Sequence, residues 1–517
     1  MIARRPGVGL FLVFLALYAL TSSGNAFRVP DEFEVYFQAE HLADAGDISV
    51  PQTLVIKDAT GPIFFGEFGL NGRPYAPYGP GVAFLIFPFH LAGRGLAALA
   101  GIPRGPLPGG VAWEFLVGGI TALGMAFAAA MAVAGCHRAC RALGAPPRRA
   151  IELAIILGAA TILWPYGTTL YCEAWLAAAF VWAAALLVEA RARPGGSLAR
   201  VVVASLLLAI AIVTKPTAIV IAPAFLVAVL VDRHAAFKAR VATAAALTVG
   251  MALGGGIQVA WNLERFGHVL DFGYNLAGMI PVLPARSFVA GRIPEGLVVQ
   301  LLTPGKSLFL WAPATLLSTL ALGACWRRDR ALAAGLIAAT GTALVFYAAY
   351  LFPDGGYSHG PRHLVPLVPL LMLPLAVPGI EVSRRALYGC AAIGVVIAAL
   401  AASVSFFEDQ GPVAVGDQLL SPYYDRIDPP PGSPDLRYRV HYIPFRFALT
   451  SGHWLSPARP AGNGPDFFAL HLLQARRTLP GGSTIPPWLP WAVSLPWMAM
   501  LIAAAIALRR ADDAETG

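Results

Sequence analysis

Charge is scarce in this chain of 517 residues: Asp, Glu, Lys and Arg make up 13% of it, against 57% hydrophobic residues. A soluble domain carries about 25% charged residues, so the balance excludes an ordinary water-soluble fold and points to a polytopic membrane protein. Cysteine is scarce too. Four of the five (Cys136, Cys140, Cys325 and Cys390) fall in or beside apolar runs and Cys172 stands alone, which argues against a disulfide framework. Cys136-His137-x-x-Cys140 has the look of half a metal site, but no second Cys/His pair completes the four ligands that structural zinc takes. A Walker lysine loop and a GxGxxG in a βαβ setting are both missing, which argues against ATP or a nucleotide-linked donor. There is no internal repeat of the kind that builds the inverted halves of a secondary transporter. The net charge of +8 is no nucleic-acid signal, because the basic residues sit in short clusters between apolar runs rather than in one patch.

What the chain has in abundance is apolar runs near the ~20-residue spanning length. Basic clusters mark cytoplasmic loops. Here they are Arg4/Arg5, Arg138/Arg141/Arg148/Arg149, Arg191/Arg193/Arg200, Arg233/Lys238/Arg240, Arg327/Arg328/Arg330, Arg384/Arg385 and Arg509/Arg510, which together hold 19 of the 37 Lys and Arg. The chain must go out and return between consecutive clusters, which predicts an all-α bundle of about twelve spans with both termini inside. The predicted spans are 7–23, 111–135, 151–170, 174–191, 199–213, 217–231, 241–261, 306–325, 331–352, 364–380, 386–406 and 488–508. Residues 79–100 are apolar enough to make a thirteenth. If they crossed, every later basic loop would be inverted, and Pro80, Pro88, Gly93, Arg94 and Gly95 make a poor free-standing span. They are read as a helix in the outer interface, within a first extracytoplasmic loop of 24–110. The opening also fits a signal peptide, with Arg4 and Arg5, apolar Val8 to Leu20, then small residues. Cleavage would leave that loop on the same side; a retained first helix is the reading adopted. The chain thus divides into a membrane region 1–406, a small extracytoplasmic region 407–487 rich in Pro, Gly and aromatics, and a last span with a cytoplasmic tail, 488–517.

Placed this way, the outer side collects Asp31, Glu32 and Glu34 at the start of the first loop, then Glu173, then Lys215 in Thr214-Lys215-Pro216. It also collects the polar turn from Pro353 to His363, which holds Tyr357, His359 and Arg362. Charge at membrane depth is costly, so charges facing a shared cavity are functional candidates. Each has a plainer explanation. Asp31 with Glu34 can cap an amphipathic helix, Glu173 can answer a helix dipole, and Lys215 can snorkel. His359 and His363 can be structural, while Arg362 suits bidentate phosphate binding. Taken together, carboxylates and cations facing outward at a membrane surface suit transfer of a sugar from a lipid phosphate. A carboxylate would take the acceptor's proton and the cations would stabilise the departing phosphate.

The pattern resembles the GT-C superfamily of membrane glycosyltransferases, in particular the family-39 branch. That branch contains protein O-mannosyltransferases and the bacterial transferase that puts aminoarabinose on lipid A. The resemblance rests on Pro30-Asp31-Glu32 with Tyr36, Ala39, Leu42 and Ala45-Gly46-Asp47, and on Arg73-Pro74-Tyr75. It continues through the basic turn before Arg148, Trp164-Pro165-Tyr166 with Glu173, and Asn262-x-x-Arg265-Phe266-Gly267. Ser307-Leu308-Phe309 with Pro313 and Gly355-Gly356-Tyr357-Ser358-x-Gly360-Pro361-Arg362 complete it, so that it covers most of 7–380. It implies that Asp31 is the general base, that Glu173 stands where the family usually has a second-loop Asp, and that Lys215 and Arg362 hold phosphate. The aminoarabinose transferase has Glu-Lys-Pro before its interfacial helix where this chain has Tyr75-Ala76-Pro77, which puts that sugar in doubt.

The expectation is an inverting glycosyltransferase of the bacterial plasma membrane, with its active site extracytoplasmic. Its donor is a polyprenyl-phosphate sugar and its acceptor a glycan, lipid or protein. Asp31, Glu32 and Glu173 are the candidate catalytic carboxylates; Lys215, Arg362, His359 and Tyr357 are the candidate donor-binding groups. No cofactor is required, and a divalent ion between Asp31 and Glu173 is compatible with the chemistry without being demanded by it. The competing readings are a transporter or flippase of a lipid-linked saccharide and an accessory subunit without activity.

Overall fold

In the computed structural model, the described residues are 6–24, 30–53, 66–105, 111–192, 197–273, 288–303, 305–350, 352–356, 358–403, 467–478 and 485–516. Most of the 407–487 region, and Tyr357, lie outside them. The chain is built as an integral membrane protein and is mainly helical. The helices used below are α1 (Pro6–Leu20), α2 (Pro30–Ala45), α3 (Gly81–Leu99), α4 (Val111–Ala142), α5 (Pro147–Ala159), α6 (Glu173–Ala192), α7 (Ser197–Thr214), α8 (Pro223–Val231), α9 (Phe237–Phe266), α10 (Ile293–Leu302), α11 (Arg330–Ala349), α12 (Arg384–Ser403), α13 (Phe468–Thr478) and α14 (Leu495–Thr516). Shorter helical pieces occupy 308–328 and 362–376. Two short antiparallel strands, β1 (Glu67–Phe68) and β2 (Pro74–Tyr75), pair in the first loop.

Helical pieces lie over each of the twelve predicted spans. By length and composition, seven helices of the described residues could cross a membrane, and α3 is one of them. The interfacial placement of α3 therefore rests on sidedness rather than on hydropathy. Its surroundings bear on the point. α3 packs on α2, a far more polar helix, and Arg94 of α3 pairs with Asp44 of α2 at 2.7 Å.

The core follows from small residues. α4 is rich in Ala and Gly and runs through the middle of the bundle, packed on α1, α3, α5 and α6. α7 and α9 approach closely enough that a Cβ on Gly250 would stand 2.3 Å from the Ser205 carbonyl oxygen, and one on Gly254 2.7 Å from that of Ala209. Small residues at crossing points are how membrane helices pack where lipid gives no hydrophobic drive. The opposite face of α9 exposes Val249, Leu253, Ile257 and Leu263, a stripe suited to lipid.

Charge gathers at two ends of the bundle. At one end, Glu189 receives Arg138 (2.6 and 2.8 Å) and Arg200 (3.0 Å). Arg191 grips Asp329 (3.0 and 2.5 Å) and lies 3.9 Å from Asp232. Glu152 lies 3.7 Å from Arg149 and 3.9 Å from Arg384. Arginines of three of the basic clusters picked out by charge thus meet, and Asp232 and Asp329 bring in the segments of two more. α6 starts with Glu173 and has Arg191 in its last turn, so the second charged group, described next, lies about 27 Å away along that helix.

Candidate functional site

The second group is assembled by chain breaks. Pro30 opens α2, placing Asp31 in the first turn, where a helix N-terminus favours an acid. Glu173 is likewise the first residue of α6. Lys215 sits in extended backbone between Thr214, which ends α7, and Pro216, which starts a 3-10 turn. Arg362 opens another 3-10 turn after Pro361. Each charge therefore stands where a helix starts or stops, and the four starts and stops coincide.

Glu173 Oε1 accepts from Lys215 Nζ at 2.7 Å and from Arg362 Nε at 2.8 Å. The same guanidinium reaches across to Asp31 Oδ1, 2.9 Å from Nη2. Its carbon lies 3.9 Å from the centre of the Tyr171 ring, a cation–π contact. Glu173 is fully buried and Arg362 is 9% exposed, while the Asp31 and Lys215 side chains keep 22% and 17%. Two carboxylates face two cations, so the group is formally neutral, as burial demands. The Arg362 guanidinium stands between Asp31 and Glu173. Among the described residues no set of three or more His, Cys, Asp or Glu could hold a metal.

The other candidates fall nearby in different roles. Glu32 is buried and its Oε1 accepts from the Leu170 N–H at 3.1 Å, tying α2 to the turn that leads into Glu173. The His359 ring packs on Trp311, with centroids 5.6 Å apart, and its carbonyl accepts from Tyr166 Oη at 2.9 Å. Sequence reasoning missed Lys306, which is buried and donates to the carbonyls of Gly356 (2.9 Å) and Ser358 (2.6 Å). It holds the turn that presents Arg362. A charged residue at the mouth of the 306–325 span was an available signal. Gly355 explains the shape of that turn: its φ is +83°, and a Cβ there would stand 2.6 Å from the Cβ of Arg362. Tyr171 under Arg362 and the stacked pair Tyr347–His363 (4.3 Å, 8°) were also unforeseen as neighbours of the cations.

No protein-family model and no curated protein matches the chain. Among solved structures its backbone is similar to ArnT from Cupriavidus metallidurans, solved bound to undecaprenyl phosphate and in the apo state. The TM-score is 0.47, with 17% and 16% identity, over 97% of this chain and 75% of that one. It is also similar to the Archaeoglobus fulgidus oligosaccharyltransferase solved with Zn and sulfate, at a TM-score of 0.45 and 14% identity over 84% of this chain and 58% of that one. At these identities the likeness is one of backbone path alone.

Proposed function

We propose that the protein is an inverting glycosyltransferase that moves a sugar from a polyprenyl-phosphate donor to an acceptor hydroxyl outside the plasma membrane. The observation that carries this reading is Arg362 bridging Asp31 and Glu173, with Lys215 on the same Glu173 oxygen. Transfer from a lipid phosphate asks for a base and for cations that stabilise a departing phosphate, within one site at the membrane boundary. The basic end of the bundle is cytoplasmic by the excess of Arg and Lys in its loops, which puts the Asp31 group outside. α3 then lies in the outer interface beside α2.

In this reading Asp31 takes the proton of the acceptor hydroxyl as its oxygen attacks the anomeric carbon. The bond from that carbon to the phosphate oxygen breaks, and the phosphate leaves toward Lys215 and Arg362. A donor phosphate entering beside Arg362 competes with Asp31 for the guanidinium, so donor binding frees the base. Glu173 holds both cations in place and Glu32 fixes the N-terminal turn of α2. A transporter would keep its polar groups near the bilayer midplane, reachable from both sides; here they sit at helix starts and stops at one end. An accessory role would leave Asp31 turned away from Glu173, whereas Arg362 links the two.

The test is transfer from lipid-linked sugar in membranes carrying Asp31→Asn. Expression should be normal and transfer lost. Full turnover by the variant would remove Asp31 from the role of base.

A further inference from the structure

Along α2, one turn beyond Asp31, lies a buried polar lane that the proposed reaction leaves unused. Glu34 is 0% exposed and Gln38 1% exposed. Both carboxyl oxygens of Glu34, and both the amide nitrogen and oxygen of Gln38, are buried without a hydrogen-bond partner among the described residues. Residues 31, 34 and 38 are spaced i, i+3 and i+7, so their side chains leave one face of the helix, over about 10 Å of its length. Buried polar atoms are normally paired, and four orphans on two neighbouring side chains are a cost to the fold. Leu or Met would fill the same space without that penalty.

Burial, and next the charge of Asp31, push the Glu34 carboxyl well above its usual range. A protonated carboxyl offers one donor and acceptor capacity, and the Gln38 amide offers two donors and an acceptor. Adjacent hydroxyls on a ring each donate and accept at once, so this neutral pair matches them better than it matches an ion.

We propose that Glu34 and Gln38 bind the hydroxyl groups of a sugar ring beside Asp31. The inference rests on the glycosyl-transfer reading and adds to it the residues that recognise the sugar. The ring could come from the donor or from a glycan acceptor; the chemistry of recognition is the same, and the experiment separates the two sources.

Wild type, Glu34→Leu, Glu34→Gln and Gln38→Leu would be compared in nanodiscs. One arm measures binding of undecaprenyl phosphate, bare or carrying mannose, glucose or arabinose. The other measures binding of free octyl glycosides of the same sugars. If the ring is the donor's, the Leu variants bind the bare lipid phosphate within twofold of wild type and lose at least tenfold on one sugar-bearing lipid. If it is the acceptor's, the loss appears with a free glycoside instead. Glu34→Gln keeps a donor and an acceptor and should stay within about threefold of wild type. The ligand-free Leu variants should melt higher than wild type, since they remove unpaired buried polar atoms. Leu variants that melt lower, or that bind every probe as wild type does, overturn the inference and leave the parent reading standing. Failure of wild type to bind either form of the lipid overturns both.

Discussion

Replacing Glu173 with Gln isolates what one buried carboxylate does for two cations. Gln has nearly the same shape but carries no charge. Arg362 keeps Asp31 at 2.9 Å, so the deficit falls on Lys215, whose ion pair in this structure is with Glu173 at 2.7 Å. Breaking a buried pair by removing one partner costs about 3–5 kcal/mol, because an uncompensated charge is left behind. The Lys215 side chain is 17% exposed, and solvent relief places the expectation at about 3 kcal/mol. Lys215→Met should cost less, about 1.5 kcal/mol, since Glu173 still holds Arg362 and Met fills the lysine stem. The two changes act on one contact, so the double variant should cost less than the sum of the singles by about 1–3 kcal/mol. The assay is denaturant unfolding of purified protein in mild detergent, followed by tryptophan fluorescence, for the wild type, both singles and the double. Glu173→Gln within about 0.5 kcal/mol of wild type, together with additive singles, would refute the claim that Glu173 is the anchor of the site.

Three further outcomes follow from other parts of the molecule. Glu34 holds a proton in the folded protein that the unfolded chain releases near pH 4.3; its contribution to stability is full below that value and is lost as pH rises toward the raised folded value, so the stability advantage of Glu34→Gln over wild type should grow between pH 5 and 7, and a constant difference would count against it. Lys306→Ala removes donors to the Gly356 and Ser358 carbonyls and should cost about 2–3 kcal/mol; it should also expose the 353–360 turn to protease, and a cleavage rate equal to wild type would show that the lysine does not hold the turn. Gly250→Ala would drive a methyl to 2.3 Å from the Ser205 carbonyl oxygen, so α7 and α9 must separate at a cost of about 1–3 kcal/mol, read as a lowered melting temperature beside an unchanged Gly255→Ala, whose added Cβ meets no atom within 4 Å.

Why some of this was readable from the sequence and some was not comes down to reach along the chain. The segments carrying five of the basic clusters, joined at one end through Glu152, Glu189, Asp232 and Asp329, could be placed together by parity, because a membrane chain must return to the same side and the charges record each return. The same parity put Asp31, Glu173, Lys215 and Arg362 at the other end, and these are the four that converge. Parity fixes an end, however, and not an azimuth. Glu32 follows Asp31 by 100° around α2, and that alone turns it to the Leu170 amide and away from the cations. His359 is three residues from Arg362, yet its ring lies against Trp311, because Gly360 bends the chain between them with a φ of +53°. Glu34 was visible only as part of a capping pattern, since its meaning comes from being fully buried and unpaired, a property of the packing around α2. α3 shows the converse. Its composition qualifies it to span, but Arg94 on α3 and Arg104 just beyond it both pair with Asp44 on the polar helix α2. In the topology proposed above, those pairs hold α3 against α2 as the wall of the first loop, beside the carboxylates it encloses, and the sidedness of the basic loops outweighs local hydropathy.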